Sequence, residues 1–229
     1  GIQSSARKQA ASCSLSRSHS TVRTILTFNW RVGMTTHEHA LSPQRVTYHI
    51  DGGVTLIGDA WGDAHAAPIL FLHGGGQTRH AWGGTARTLA RQGWHTVSLD
   101  LRGHGDSSWA PEGVSMVDLF VEDIRQVISR FQRPPVLVGA SLGGITSLLV
   151  AGEAEQPTVS AVVLVDITPR VEEKGVARIR AFMTGSPNGF ANLEEVADAV
   201  AAYIPHRPRP KDLTGLAKNL RLGEDGRYR

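Results

Sequence analysis

Between residues 45 and 165, short apolar runs alternate with longer stretches of helical periodicity, and this alternation limits the chain to a sheet joined by crossover helices. The runs are 45–50, 54–61, 68–72, 94–99, 136–138 and 161–165, which predicts six strands. Asp51-Gly52-Gly53 separates the first two and suits an antiparallel hairpin. The run 68–72 is apolar throughout, as expected of a strand buried on both faces. Helices are expected at 77–92, 114–131 and 141–151 between the strands. After Pro169 the pattern turns to helices alone, at 171–183, 193–203 and 211–220, with Pro205, Pro208 and Pro210 parting the last two. No internal repeat is present.

The 229 residues suit one large domain, since a single core grows to roughly 250–300 residues before it splits. The net charge of +3 points to an anionic partner only until its location is traced. Residues 1–33 hold Arg7, Lys8, Arg17, Arg23 and Arg31 and no acid, which leaves 19 basic against 21 acidic residues in the rest. The body is therefore no nucleic-acid binder by charge. The basic, serine-rich stretch reads either as upstream read-through before Met34 or as a transit peptide, and it is left out of the fold as a disordered leader. No apolar run reaches the roughly 18 residues of a membrane span. The single Cys13 rules out an internal disulfide and a cysteine cluster for metal. Cytoplasmic chemistry is the expectation, with organelle import if residues 1–33 are a transit peptide.

The chemistry lies in two glycine-rich turns, each directly after a strand. Gly139-Ala140-Ser141-Leu142-Gly143-Gly144 follows the strand at 136–138 and opens a helix, the setting that a G-x-S-x-G nucleophile turn requires. A β-carbon on either side of so tight a turn would clash, and Ser141 is expected in a strained conformation. The Leu142 amide lies at the helix N-terminus, where its N–H can meet an oxyanion. His73-Gly74-Gly75-Gly76 follows the strand at 68–72 and is of the type that supplies a second such N–H. Neither turn is a phosphate loop: no Lys-Ser/Thr follows the first, and Ser141 occupies the second glycine position of a dinucleotide fingerprint.

With Asp100-Leu101-Arg102-Gly103-His104-Gly105-Asp106-Ser107 between them, these motifs resemble the α/β-hydrolase superfamily: its oxyanion loop, its D-x-R-G-H-G-x-S loop and its nucleophile elbow, in family order. The resemblance covers about residues 45–170. It implies a cofactor-free, metal-free serine hydrolase of the esterase, lactonase or perhydrolase type acting on a small molecule. It also implies a core over residues 34–170 and a helical cap over 171–229. Ser141 would be the nucleophile, with Gly75 and Leu142 holding the oxyanion. Asp166, ending the run 161–165, is either the triad acid or a turn-closing residue. His104 lies beside two carboxylates, yet a histidine between two glycines more often fixes backbone, and His73 is expected to support its own loop.

Family order places the base after Ser141, where His206 is the one histidine; it sits among prolines and arginines in a linker and is a poor candidate. The family sheet has eight strands and six are readable, so a chain lacking the last strands and the catalytic histidine is expected. Two other readings share the scaffold: a non-catalytic ligand-binding protein, and a carbon–carbon bond hydrolase or perhydrolase on the same triad. The oligomeric state has no signal in the sequence.

Overall fold

The computed structural model describes residues 42–109, 116–167 and 173–229. Residues 1–41, 110–115 and 168–172 lie outside them, and with them the leader, the start of the core expected at 34 and the starts expected at 114 and 171 for two helices. Six strands form one sheet: β1 Gln44–Ile50, β2 Val54–Trp61, β3 Pro68–Leu72, β4 His95–Leu99, β5 Val136–Ala140 and β6 Ala161–Val165. Their order is β1-β2-β4-β3-β5-β6. The β1–β2 hairpin is antiparallel, from Gln44 opposite Ala60 to Ile50 opposite Val54, and β2 also runs antiparallel to β4. The pairs β3–β4, β3–β5 and β5–β6 are parallel. The predicted α/β class with a mostly parallel sheet is the one observed.

The core follows from the two-residue period of β3, which is buried along its whole length. Leu70 and Leu72 pack with Leu56, Val97, Leu99 and Leu137 against α2 (Met116–Ile128) and α3 (Leu142–Gly152). Ile69 and Phe71 face the other way, toward Ala86 and Ala90 of α1 (Gly83–Ala90) and the ring of Trp82. Helices on both faces leave the carboxyl ends of β3, β4 and β5 at one edge, where loops can converge. Beyond β5 the cover thins: β6 is an edge strand, with Val163 and Val165 exposed.

Several boundaries differ from those expected, each for a tertiary reason. The helix expected at 77–92 is a 3₁₀ turn, Arg79–Trp82, followed by α1. Gln77, Thr78 and Arg79 are drawn into other contacts: Gln77 Oε1 accepts the Gly74 N–H, Thr78 Oγ1 donates to Lys218 O, and Arg79 enters buried ion pairs. The last strand before the elbow extends to Ala140, and α3 starts at Leu142 rather than Ser141. Beyond it lie α4 (Glu173–Thr184), α5 (Leu193–Tyr203) and α6 (Thr214–Ala217). The helix expected at 211–220 is thus a single turn, begun by Asp212 accepting the Thr214 N–H (2.9 Å) and ended where Lys218 and Asn219 turn to Thr78. Nor is this region helical alone: Phe190 and Tyr228 exchange both backbone hydrogen bonds at 2.8 Å.

Candidate active site

Ser141 sits between β5 and α3 with φ 46° and ψ −109°. It and Asp166, at φ 52°, are the two residues other than glycine with positive φ among the described residues. An L-residue is strained in that region, and strain of this kind persists where the surroundings enforce it. Here they do. A β-carbon at Gly139 would lie 2.2 Å from Gly143 O, and one at Gly143 would lie 2.3 Å from Leu72 O, so the elbow closes only with glycine at both positions. The Ser141 N–H donates to Val165 O (3.1 Å) and the Gly143 N–H to His73 O (3.1 Å), which ties the elbow to β6 and to the end of β3.

The pairing of Ala140 with Val165 places Ser141 and Asp166 side by side, each one residue past its strand. Asp166 is exposed and the Ser141 hydroxyl has no hydrogen-bond partner among the described residues. His206 lies exposed in the turn after α5. The residues expected to hold an oxyanion meet at the elbow: a β-carbon on Gly75 would touch Leu142 Cδ2 at 3.9 Å, and one on Gly74 would touch Ser141 Cβ at 3.6 Å. The Gly74 N–H is taken by Gln77 Oε1 (3.0 Å) and the Gly76 N–H by His104 Nε2 (3.3 Å). Among the described residues the N–H groups of Gly75 and Leu142 have no acceptor.

The loop after β4 is a scaffold for this edge. Asp100 is fully buried, and its carboxylate accepts the N–H of Arg79 (2.6 Å) and of Asp106 (3.0 Å) and pairs with the Arg79 guanidinium. Arg79 also meets Asp59 (3.2 Å) and Asp106 (3.0 Å). The Arg79 pairing helps hold the Asp106 carboxyl below its ordinary value, against the opposing effect of burial. Ser107 Oγ donates to Asp100 O (2.7 Å) and accepts the Ile57 N–H (2.9 Å). Arg102 reaches away from the site and pairs with Asp123 on the inner face of α2. Arg102 and Asp106 are thus structural in this geometry.

Sequence reasoning did not find Arg79, Gln77 or Met183. Arg79 and Asp100 are 21 positions apart, and no local pattern marks a buried cation that far from its anion. Met183, on α4, places its Cε 1.9 Å from where a Gly76 β-carbon would be, so α4 reaches the glycine loop. A cleft of about 170 Å³ lined by Tyr48, Ala64, His95, Arg130, Phe131 and Gln132 lies at the opposite end of the sheet, where β4 begins. No group of three His, Cys, Asp or Glu among the described residues could hold a metal ion, and no helix there is long and apolar enough to cross a membrane.

A strained serine between a parallel strand and a helix, facing a glycine-rich loop on the neighbouring strand, defines an α/β protein of hydrolase architecture. Residues 67–199 match the alpha/beta hydrolase fold family, and the chain belongs to it. It is 31% identical over 178 residues to Esterase Rv0045c of Mycobacterium tuberculosis, covering 73% of this chain and 57% of that protein. It is 27% identical over 135 residues to Protein phosphatase methylesterase 1 of Bos taurus, covering 57% of this chain and 36% of the relative. The chain thus spans between about a third and somewhat over half of these two relatives. The crystal structure of an alpha/beta hydrolase from Novosphingobium aromaticivorans superposes with a TM-score of 0.66 at 25% identity, covering 81% of this chain and 67% of that one.

Proposed function

We propose that the protein is a serine hydrolase that cleaves an ester or related acyl substrate through an acyl-enzyme. The observation that carries this reading is the enforced positive φ at Ser141 beside two unengaged amides. Ser141 Oγ attacks the carbonyl carbon, its proton passes to a base, and the N–H groups of Gly75 and Leu142 receive the oxyanion. Asp166, one residue past β6, is the triad acid that orients a histidine, and none of the described residues supplies that histidine at Ser141 Oγ. An ester is favoured over a carbon–carbon bond because two of the relatives are named as esterases. The segment 173–229 roofs the site: Met183 covers Gly76, Thr78 Oγ1 donates to Lys218 O (2.9 Å), and Arg221 donates to Gly105 O.

The test is covalent labelling by a fluorophosphonate in the protein expressed from its full reading frame. Wild type is expected to carry the label on Ser141, with none on Ser141→Ala, and to turn over an activated ester. A protein that is folded but neither labels nor turns over such an ester refutes the reading. Without its base, an acyl-transfer site retains on the order of 10³–10⁴-fold catalysis over water, so a chain lacking the histidine gives a weak signal rather than none.

A further inference from the structure

The two loops that border the elbow are joined by a reciprocal pair of imidazoles. His73, at the end of β3, accepts the Leu101 N–H at Nε2 (3.1 Å) and donates from Nδ1 to Gly74 O in its own loop (2.8 Å). His104, after β4, accepts the Gly76 N–H at Nε2 (3.3 Å) and donates from Nδ1 to Arg102 O in its own loop (3.0 Å). Each ring takes an amide of the opposite loop and holds a carbonyl of its own, with ring centroids 4.8 Å apart. A backbone N–H only donates, so Nε2 is bare and Nδ1 carries the proton in both rings. Neither ring can become an imidazolium without setting one N–H against another.

The consequence falls on the glycine loop. Of the three amides after His73, that of Gly74 is held by Gln77 and that of Gly76 by His104, which leaves Gly75. We propose that His104 is a positioning residue for acyl transfer: by engaging the Gly76 amide it selects the Gly75 N–H as the loop's oxyanion donor and holds it beside Leu142. The identity of the anion rests on the serine-hydrolase reading; the clamp between the loops does not. His104 is faced by His73 from the loop after β3, by Asp100 and Arg102 from its own loop, and by Phe120 from α2; Arg79 backs Asp100, and Arg221 reaches Gly105 O. Burial pushes both imidazoles down, His73 to about 4, although Asp100 pulls each the other way.

The experiment has two arms. In the first, ¹⁵N-labelled protein is examined by long-range ¹H–¹⁵N NMR. Both rings are expected as Nδ1–H tautomers, with the Gly76 amide shift following the titration of His104. In the second, the rate of fluorophosphonate capture at Ser141 is compared among variants. His104→Ala is expected to slow capture roughly three- to tenfold, the loss of one hydrogen bond. His104→Gln, whose Oε1 can accept from Gly76, is expected to recover to within about twofold. Capture by folded His104→Ala at the wild-type rate, a failure of His104→Gln to recover, or a Gly76 amide indifferent to His104 overturns the proposal. If the NMR signature is present while wild-type Ser141 resists capture, the hydrolase reading and the oxyanion assignment fall and the clamp survives. If Ser141 is captured and the signature is absent, the clamp alone falls.

Discussion

Removing the Asp123 carboxylate tests whether the loop after β4 is held by charge or by its backbone. Arg102 Nε donates to Asp123 Oδ2 at 2.8 Å and a second guanidinium nitrogen meets Oδ1, with the two side chains 9% and 2% exposed. The hydrogen bonds that Arg102 donates to Asp123 raise the Arg102 pKa, so the guanidinium stays charged. Unlike Arg79, which has Asp59, Asp100 and Asp106, Arg102 has no second carboxylate among the described residues. Asp123→Ala therefore strands a buried cation, at about 3–5 kcal/mol. With a urea slope of about 2 kcal/mol/M, the unfolding midpoint should fall by about 2 M. The double variant Arg102→Met/Asp123→Leu fills the same space without charge and should return to within about 1 kcal/mol of wild type. Equilibrium urea unfolding followed by far-UV circular dichroism reads all three proteins. A drop below about 0.5 M for Asp123→Ala, or a double variant as unstable as the single one, would refute the reasoning and assign the loop's stability to its backbone hydrogen bonds.

Gly143→Ala sets a β-carbon 2.3 Å from Leu72 O, against the backbone of a central strand that cannot yield, and should cost about 3 kcal/mol or more in thermal unfolding. Ser141→Gly relieves the positive φ and should raise Tm by about 2–4 °C for roughly 1 kcal/mol gained, whereas Ser141→Ala, which keeps the β-carbon, should leave it unchanged by calorimetry. His73 is held neutral in the fold, down at about 4, while the unfolded side chain titrates near its ordinary ~6.5. The unfolded chain thus binds the proton first on acidification. This contribution is full above pH ~6.5, is lost by up to roughly 1.4 kcal/mol per pH unit down to ~4 and is level below that, and His73→Gln should remove that part of the slope in urea midpoints measured across the range.

The sheet and the elbow were legible because their signals are local. Glycines two positions either side of Ser141 are forced by atoms of the same turn and of the adjoining strand, and the unbroken apolar run of β3 reports burial on both faces. The helix expected at 77–92 failed at its start, since Gln77, Thr78 and Arg79 have ordinary helical character in isolation and are drawn away by Gly74, Lys218 and Asp100. The helix expected at 211–220 failed for the matching reason at the other end of the Thr78 contact. At the site, the positions of Ser141, Gly75 and Leu142 could be read, but the engagement of the neighbouring amides by Gln77 and His104 could not, because it follows from how three strands stack side by side.

That stacking also sets when the site comes into being. The bonds that shape it join residues far apart in the chain: His104 to Gly76 and Leu101 to His73 across 28 positions each, and Thr78 to Lys218 across 140. Such links must await the closure of the loops between them, so they form late compared with any helix. On a chain emerging from the ribosome with its N-terminus first, the Ser141 amide has no Val165 carbonyl to meet until β6 is outside. Intermediates that stop short of that strand can collapse and carry helices, yet they have no finished elbow. On the serine-hydrolase proposal, capture of Ser141 by a covalent probe during refolding is then expected to follow the docking of β6 onto β5, and its rate to report that step.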